Sequence, residues 1–406
     1  MTTPSFEKWL SLIGIGEDGV EGLSPAARTL LAQAQFIVGG ARHIALAGPL
    51  AAKTMTWPSP MAAAIPEILA RRGSPVCVLA SGDPFFYGAG TLLSAHVRPE
   101  EMQCLPAPST FSIAAARLRW SLQECRLISL HGRAFERIIP ALQPRAKILC
   151  LSWDETTPPR LAKLLCEKGL GPSRIIVMEA MGGPKERLRE STAQNFAMEG
   201  INPLNLVAIE ITATALSQFL PAASGLADCW FETDGQLTKR EVRAVALSSL
   251  APRRGEVLWD VGAGSGSIAI EWLLCDPANR AIAIEARADR ASRIARNALS
   301  LGVPQLEIIT GTAPEAFSDL PQPQAIFVGG GAGDPHLLDM AYAALPQGGR
   351  LVVDAVTIET EAKLIAWFKA RGGDLLRLEI AHAGPLGSFH GWRPALPVTQ
   401  WSVTKP

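Results

Sequence analysis

The clearest motif in the chain is Val257-Leu258-Trp259-Asp260-Val261-Gly262-Ala263-Gly264-Ser265-Gly266. An apolar strand ends in an acid and runs into a G-x-G-x-G loop, after which Ser267–Leu274 has a helical pattern. The small residues allow the loop to pass close under a ligand. Glu285 ends the next predicted strand about twenty residues later, where an acid can accept both ribose hydroxyls of a nucleoside. The motif therefore predicts a nucleoside-cofactor site made by residues 262–266 and Glu285.

Two other interpretations of this loop are a dinucleotide site and a purely structural turn. The dinucleotide fingerprint is G-x-G-x-x-G, whose last glycine falls where this chain has Ser267. Asp260 also suits a cofactor with a cationic amino group better than it suits a pyrophosphate. We therefore favour S-adenosylmethionine (SAM).

Strand and helix patterns alternate along the whole chain, which predicts an α/β protein with mainly parallel sheets. Ser24-Pro25 is a typical helix start. Leu375–Ile380 and Val398–Val403 predict an antiparallel ending. The other predicted strands are Ser11–Ile15, Val76–Ala80, Leu127–Leu130, Ile148–Leu151, Ile175–Met178, Leu206–Ile209, Val257–Val261, Ala281–Glu285, Leu306–Thr310, Ala325–Val328 and Leu351–Val353.

The pattern loosens between Ile211 and Gly235, around Pro221–Gly225. We expect a first domain over residues 1–215, a linker over 216–227 and a second domain over 228–406. Each domain can build an ordinary core, because 48% of the residues are apolar and 19% are charged.

Composition argues against several classes of protein. The 38 basic residues balance the 38 acidic ones, whereas a nucleic-acid enzyme more often has a basic excess. The seven cysteines form no C-x-x-C pair, and we see neither a signal peptide nor an apolar run of membrane-spanning length. We expect a cytoplasmic enzyme with reduced thiols, no membrane or nucleic-acid partner and no metal.

The C-terminal half resembles the class I SAM-dependent methyltransferases, which have a Rossmann-like fold. It looks more narrowly like the family that methylates and decarboxylates a corrin precursor. That likeness rests on Leu237–Arg243, Gly311–Ala316 and Phe327–Gly331. The resemblance implies SAM contacts at Thr238, Gly262, Ala263, Gly264, Ser265, Gly266, Glu285 and Ala313. The family usually has an acid where Thr312 stands.

Phe327-Val328-Gly329-Gly330 replaces the Asn/Asp-Pro-Pro-aromatic motif of many nucleobase methyltransferases. Its glycines leave space for a bulky planar substrate, or they simply make a tight turn. The tail His390-Gly391-Trp392-Arg393 could shape the same pocket or form a structural hairpin. Substrate candidates are Gly330, Gly331, His390, Trp392 and, for substrate carboxylates, Arg243, Arg293, Arg296 and Arg393. For each arginine we favour the interpretation as a solvated surface charge.

Four loops in the N-terminal half lie where α/β proteins hold ligands, just beyond strand ends. They are Leu12–Gly16, Ala80–Gly88, Leu105–Thr110 and Glu179–Pro184. In this order they resemble the two-lobed tetrapyrrole methylase family over residues 9–212, and Ser129–Arg133 with Val38-Gly39-Gly40 points to the branch acting on the same corrin precursor. By this resemblance, SAM would lie in a cleft lined by Gly14, Gly16, Ser81, Gly82, Asp83, Phe86, Ser109, Thr110, Met181 and Ala208. Asp83 could instead be a turn residue before Pro84, and His131 could bind a substrate carboxylate, act as a base or be structural.

Together the halves resemble bifunctional enzymes of cobalamin biosynthesis, with two SAM sites and a tetrapyrrole substrate, a precorrin. The resemblance implies methylation of carbon 5 by the N-terminal half. It implies methylation of carbon 15, with decarboxylation of the ring C acetate, by the C-terminal half. It also implies a homo-oligomer, a dimer or a tetramer. The sequence identifies no catalytic base. An RNA methyltransferase with an accessory domain and a noncatalytic SAM-binding regulator are the alternatives.

Overall fold

The computed structural model describes residues 8–334 and 336–406, which form two compact units. The first unit contains the residues up to Arg133 together with Gln143–Phe219. The second contains Ala134–Leu142, which includes the 3-10 helix Phe135–Ala141, and the residues from Leu220 onward. The predicted α/β class is confirmed in both units.

The first lobe of unit 1 is a fully parallel five-stranded sheet with helices on both faces. Its strands are β1 Leu10–Ile15, β2 Phe36–Gly39, β3 Lys53–Thr56, β4 Val76–Ser81 and β5 Met102–Leu105, in the order β3-β2-β4-β1-β5. Its helices are α1 Pro25–Gln33, α2 Ala41–Leu46, α3 Ile65–Leu69, α4 Gly90–Ser94 and α5 Thr110–Leu118. Every residue of β1 is buried, as expected of a strand covered on both faces. As predicted, α1 begins at Ser24-Pro25, where Ser24 Oγ accepts a hydrogen bond from Ala27 N at 3.2 Å.

The second lobe of unit 1 is a mixed sheet rather than a mainly parallel one. It contains β6 Cys125–Ser129, β7 Lys147–Leu151, α6 Thr157–Glu167, β8 Arg174–Glu179, β9 Arg187–Thr192 and β10 Asn205–Glu210. The strand order is β6-β7-β10-β8-β9, and only β6 and β7 are parallel. The short connection between β8 and β9 allows an antiparallel pair and leaves no room for a crossover helix.

Unit 2 is a seven-stranded sheet flanked by helices. Its strands are β11 Val257–Val261, β12 Arg280–Glu285, β13 Glu307–Thr310, β14 Ala325–Val328, β15 Arg350–Ala355, β16 Asp374–Leu378, β17 Ala381–Leu386, β18 Phe389–Pro394 and β19 Val398–Thr404. Its helices are α7 Arg240–Leu250, α8 Ser267–Cys275, α9 Ala288–Ser300, α10 Leu337–Ala344 and α11 Ile358–Arg371. The sheet order is β13-β12-β11-β14-β15-β19-β16. The first five strands are parallel and β19 is antiparallel to both neighbours, so the predicted antiparallel ending is confirmed.

Strands β17 and β18 form a separate two-stranded antiparallel sheet. No helix within residues 8–334 and 336–406 has the length and apolar character needed to cross a membrane.

Candidate cofactor and substrate sites

In the N-terminal half, three of the predicted ligand loops meet because β4, β1 and β5 are neighbours in one parallel sheet. Ala107 N donates a hydrogen bond to the Gly82 carbonyl at 3.0 Å. A Cβ on Gly14 would lie 1.8 Å from that same carbonyl oxygen and 2.5 Å from Ala107 N. Gly14 is therefore required by the close approach of three backbones, and the same approach shapes the edge of a cavity.

A cavity of about 420 Å³ opens beside these loops. Three predicted residues line it, namely Asp83, Phe86 and Ser109. The Phe86 ring lies 5.2 Å from the ring of Phe111, so one wall is aromatic. Asp83 Oδ1 accepts a hydrogen bond from Phe85 N at 2.9 Å, which shows that this acid also closes its own turn. The remaining lining residues are Pro106, Ala107, Pro108, Phe111, Ser112, Leu122 and Leu127.

Other predicted residues of this half lie around that cavity or within the core. Thr110 begins α5, and Ser109 caps this helix by accepting from Ser112 N at 3.1 Å. Met181 and Ala208 are buried in one apolar cluster with Phe111. Ala208 is fully buried in β10, and its predicted contact with SAM stays a prediction. Gly16 packs against its neighbour Asp18.

His131 lies on the exposed loop after β6. Its ring is 5.9 Å from the ring of Trp153, which is 56% exposed. His131 does not line the 420 Å³ cavity. Its predicted contact with a substrate stays a prediction.

In the C-terminal half, the G-x-G-x-G loop follows β11 as predicted. Gly262, Gly264 and Gly266 all have left-handed backbone angles, with φ of 69°, 59° and 76°. Glu285 at the end of β12 binds the loop, because its Oε2 accepts from Gly264 N at 2.9 Å. Its Oε1 accepts from Arg287 N at 3.0 Å. One carboxylate oxygen therefore bonds to the glycine loop and the other to the backbone just after β12, and the predicted ribose contact stays a prediction.

Asp260 lies beneath the loop and is 1% exposed. Its Oδ2 accepts a hydrogen bond from Ala269 N at 3.0 Å. Burial raises the pKa of Asp260 to about 7, and the charge of Glu285 adds to this effect. A cationic group placed next to Asp260 would favour its ionised form, so these two acids fit a cofactor that bears both ribose hydroxyls and an amino group.

The segment before α7 covers this loop, through residues that the sequence did not identify. Ser265 Oγ donates a hydrogen bond to the Gln236 carbonyl at 3.0 Å. The buried Asn297 of α9 donates to the Ser265 carbonyl at 2.9 Å and accepts from Glu232 N at 2.8 Å. These contacts are made largely through backbone atoms, which leave no side-chain pattern to read. They bring the half-buried Thr238 into the neighbourhood of the loop.

Two further loops approach the same strand ends. Gly311 N donates to the Glu285 carbonyl at 3.0 Å, which places the half-buried Ala313 near the acid. Gly330 packs against Gly262, and Gly331 has a left-handed φ of 81°. The structure therefore brings together the predicted SAM loop, Glu285, Ala313 and the glycines assigned to the substrate.

Arg243 is a correction, because it is neither a solvated charge nor available to a substrate. It is fully buried, and its Nε donates to Glu271 Oε1 at 2.6 Å. Its other nitrogens donate to the carbonyls of Thr238 and Leu226. Glu271 also accepts from Gly225 N at 2.6 Å and Leu226 N at 3.0 Å. This pair thus fixes part of the predicted linker to α7 and α8.

The other arginines differ in exposure. Arg296 is an exposed partner of Glu232, with two hydrogen bonds of 2.6 and 2.8 Å. The Arg293 side chain is only 13% exposed, and its Nη1 lies 3.2 Å from Asp234 Oδ2. Both are engaged with acids of the segment that covers the SAM loop.

The tail forms the hairpin β17–β18. Arg393 Nη2 donates to the Pro385 carbonyl at 2.8 Å, within the hairpin itself. His390 is exposed and Trp392 is 75% exposed. The structural-hairpin interpretation of the tail is therefore the one that the described contacts support.

Comparison with known proteins identifies relatives of each half and of the whole chain. Residues 10–197 match the family described as Tetrapyrrole (Corrin/Porphyrin) Methylases, and residues 229–405 match the Precorrin methyltransferase domain. A Precorrin-6Y C(5,15)-methyltransferase [decarboxylating] from Sinorhizobium sp is 51% identical over 398 residues, which cover 98% of this chain and 96% of that protein.

Two relatives match only part of the chain. A Cobalt-precorrin-7 C(5)-methyltransferase from Salmonella typhimurium is 30% identical over 181 residues, or 44% of this chain and 88% of that protein. A Probable cobalt-precorrin-6B C(15)-methyltransferase (decarboxylating) from Pyrobaculum calidifontis is 38% identical over 143 residues, or 34% of this chain and 73% of that protein.

Proposed function

Since the chain belongs to the family of precorrin-6Y C(5,15)-methyltransferases [decarboxylating], we propose that each half carries its own SAM site. The chain is a SAM-dependent methyltransferase that acts on precorrin-6Y in cobalamin biosynthesis, with decarboxylation. The observation that carries the proposal of two sites is the presence of two separate sets of glycine loops. Each set stands at the carboxyl ends of its own parallel sheet, where α/β proteins bind ligands.

The N-terminal half methylates carbon 5 in this proposal, and the C-terminal half methylates carbon 15 and decarboxylates the ring C acetate. The names of the two partial relatives support this division. One is named only for carbon 5, and the other for carbon 15 with decarboxylation. Since these names belong to separate proteins, the two reactions can be carried by separate domains.

When bound, SAM supplies an electrophilic methyl group. The accepting meso carbons are nucleophilic through conjugation with the ring nitrogens, so the chain need not provide a side-chain nucleophile. Its residues act by holding methyl and carbon in line and by excluding water. Glu285 offers its carboxylate oxygens to the ribose, and Asp260 compensates the charge of the amino group. In the N-terminal half, Asp83 and Ser109 present polar atoms to the cavity.

Decarboxylation requires a carboxylate that is not held by a cation, because an arginine clamp would stabilise the ground state. The electrons left by the departing CO2 can pass into the conjugated macrocycle if a neighbouring position is protonated or an imine forms. Gly330 leaves space beside the glycine loop for that acetate, since a Cβ placed on it would meet no atom closer than 3.8 Å. The burial of Arg243 supports this assignment, because its guanidinium forms an ion pair with Glu271 and does not reach a substrate carboxylate.

Reciprocal variants of the full chain test the division. Gly14→Val should abolish the N-terminal site, because even a Cβ would clash with the Gly82 carbonyl. Gly264→Val should abolish the C-terminal site, since a side chain is strained at its φ of 59°. Calorimetric titration with the product S-adenosylhomocysteine (SAH) should find two equivalents in the unaltered chain and one in each variant.

With precorrin-6Y as substrate, Gly14→Val should release CO2 and add one methyl group, and Gly264→Val should release no CO2. A mixture of the two variants should restore both methylations. Release of CO2 by the Gly264→Val chain, or one SAH equivalent in the unaltered chain, would refute the division.

We also propose that the chain forms a homo-oligomer, a dimer or a tetramer. The resemblance of the two halves to their families supports this assembly. Light scattering coupled to size-exclusion chromatography checks it, and a monomer at micromolar concentration would refute it.

A further inference from the structure

Four polar side chains form a network at the carboxyl end of β4, which we name the Ser81 network. Ser81 is the last residue of β4, Arg42 and His43 lie in α2, and Glu17 follows the first glycine loop. Ser81 Oγ lies 2.7 Å from His43 Nε2 and accepts from Arg42 Nη2 at 2.8 Å. Arg42 Nη1 pairs with Glu17. None of Glu17, Arg42 and His43 was identified from the sequence.

The network stands between loops already assigned to ligand binding. Ser81 directly precedes Gly82, whose carbonyl approaches Gly14. A Cβ on Gly183, in the loop after β8, would lie 2.5 Å from the Cβ of Glu17. Glu17 therefore packs against the loop after β8 in the second lobe. Because Glu17 pairs with Arg42, this packing also restricts the Arg42 guanidinium.

His43 links the start of α2 to Ser81 and Arg42. Gly40 N donates to His43 Nδ1 at 3.3 Å. His43 Nε2 lies 2.7 Å from Ser81 Oγ and 3.2 Å from Arg42 Nη2. Burial and the adjacent Arg42 charge lower the pKa of His43 to about 4, against a smaller opposing effect of the Leu79 backbone. His43 is thus neutral at neutral pH, and its ring positions both Ser81 and Arg42.

Ser81 Oγ and the Arg42 guanidinium therefore lie side by side at the end of β4. Ser81 is exposed, and the Arg42 side chain is 37% exposed although its Nη1 pairs with Glu17. A hydroxyl and a guanidinium can both donate hydrogen bonds to a carboxylate, and the charge of the guanidinium favours an acceptor with negative charge.

We propose that Ser81 and Arg42 form a carboxylate-binding subsite, with His43 and Glu17 as positioning residues. This inference rests on the proposed methylation of carbon 5 by the N-terminal half. The carboxylate has two possible sources, an acetate or propionate of the tetrapyrrole and the methionine part of SAM. Ser81, Arg42 and His43 do not line the 420 Å³ cavity beside Asp83, so the subsite extends the ligand-binding region toward β2.

Ser81→Ala in the full chain tests the subsite, in a Gly264→Val background that leaves only the N-terminal SAM site. The ligands are SAH, 5′-methylthioadenosine, which lacks the carboxylate, and precorrin-6Y. If the cofactor supplies the carboxylate, SAH should bind about tenfold more weakly and methylthioadenosine should bind unchanged. If the substrate supplies it, the KM for carbon 5 methylation should rise about tenfold with both nucleoside affinities unchanged.

The proposal is overturned if Ser81→Ala changes none of these quantities, or if it weakens SAH and methylthioadenosine equally. If the Gly264→Val chain bearing Ser81 binds no SAH, the proposed second SAM site fails instead. In that case, the effect of Ser81→Ala on the KM for carbon 5 methylation, measured in a chain that keeps Gly264, still tests the subsite.

Three further measurements separate a positioning role from a general loss of structure. Ser81→Thr keeps the hydroxyl and should retain the affinity that Ser81→Ala loses. His43→Phe keeps a ring of similar size and should reproduce part of the Ser81→Ala effect, whereas His96→Phe, at an exposed histidine of the same lobe, should not. Nitrogen-15 NMR should find His43 neutral at pH 7. A charged His43 at pH 7, or equal weakening by Ser81→Thr and Ser81→Ala, contradicts the proposal.

Discussion

Gly262 and Gly330 meet backbone to backbone, since a Cβ placed on Gly262 would lie 2.9 Å from both the Cα and the N of Gly330. The relationship is not symmetrical. A Cβ on Gly330 would find its nearest neighbour at 3.8 Å, an ordinary van der Waals distance. The loop after β11 therefore has no room for a side chain at this contact, whereas the loop after β14 has.

This asymmetry predicts different outcomes for two alanine variants. Gly262→Ala should lose SAH binding in the C-terminal half, because its Cβ clashes and its φ of 69° is unfavourable for alanine. Gly330→Ala should retain SAH binding, although its KM for the tetrapyrrole can rise. Calorimetric titration distinguishes them, and a Gly262→Ala chain that binds SAH with unaltered stoichiometry and affinity would contradict the assignment.

Glu285→Gln should weaken SAH binding at the C-terminal site by about 10- to 100-fold. The carboxylate has two acceptor oxygens, which bind Gly264 N and Arg287 N, and the amide keeps only one of them. Glu307→Gln in the adjacent strand is the matched control, because its carboxylate makes an exposed pair with Arg280. Equal SAH affinities of the two variants would show that Glu285 does not contact the nucleoside.

Arg243→Met should destabilise the protein by about 3–5 kcal/mol, because it leaves the buried Glu271 without its partner. Arg243→Met combined with Glu271→Gln should be less destabilised than the single variant. Arg296→Met, which breaks the exposed pair with Glu232, should cost less than about 1 kcal/mol. Urea unfolding measures all three, and a small effect of Arg243→Met would show that the pair is not buried in solution.

Asp354 at the end of β15 predicts a pH dependence of stability. Its Oδ1 accepts from Gln400 at 2.8 Å, while its buried Oδ2 has no hydrogen-bond partner within the described ranges. Burial raises its pKa from 3.8 to about 7. The folded state therefore binds a proton more tightly than the unfolded state, and stability falls as the pH rises between these two values.

Asp354→Asn removes this titration. The free energy of unfolding of the Asp354→Asn chain minus that of the unaltered chain should therefore increase by about 2 kcal/mol from pH 5 to pH 8. Urea unfolding at both pH values checks the sign. A difference between the two proteins that does not change with pH would mean that Asp354 is solvated.

The sequence predicted the elements whose residues are uniform in character. The bounds of β11 and β14 agree with the structure, because fully buried strands are continuous apolar runs. The strands β2, β3, β5 and β9 were missed. The strands β3 and β9 are polar and largely exposed, so neither alternation nor apolar content distinguishes them from loops. The strand β2 is apolar and buried, so composition does not explain why it was missed. The hairpin β17–β18 was one of the two interpretations of the tail, and its strands were not delimited because of their glycines and prolines.

Site residues were predictable where a loop has its own motif, as for Gly262–Gly266 and Glu285. Prediction failed where the environment of a side chain depends on distant partners. Arg243 is buried because Glu271 meets it from another helix. His43 lacked any motif, since its role follows from the fold bringing α2 to the end of β4.

The pairing of Leu378 with Val398 ends the antiparallel ladder between β16 and β19. The residues between Leu378 and Val398 do not belong to the main sheet. In topological terms, β16 and β19 form a hairpin whose connecting loop contains a smaller hairpin, β17–β18. The register of β19 is fixed independently on its other side by β15. Because the entropy of loop closure changes only slowly with length, this segment can be shortened or extended while β11 and β12 keep their positions. It is therefore the place in the C-terminal unit where evolution or protein engineering can insert a peptide tag, a fluorophore site or a new recognition element without displacing the glycine loop.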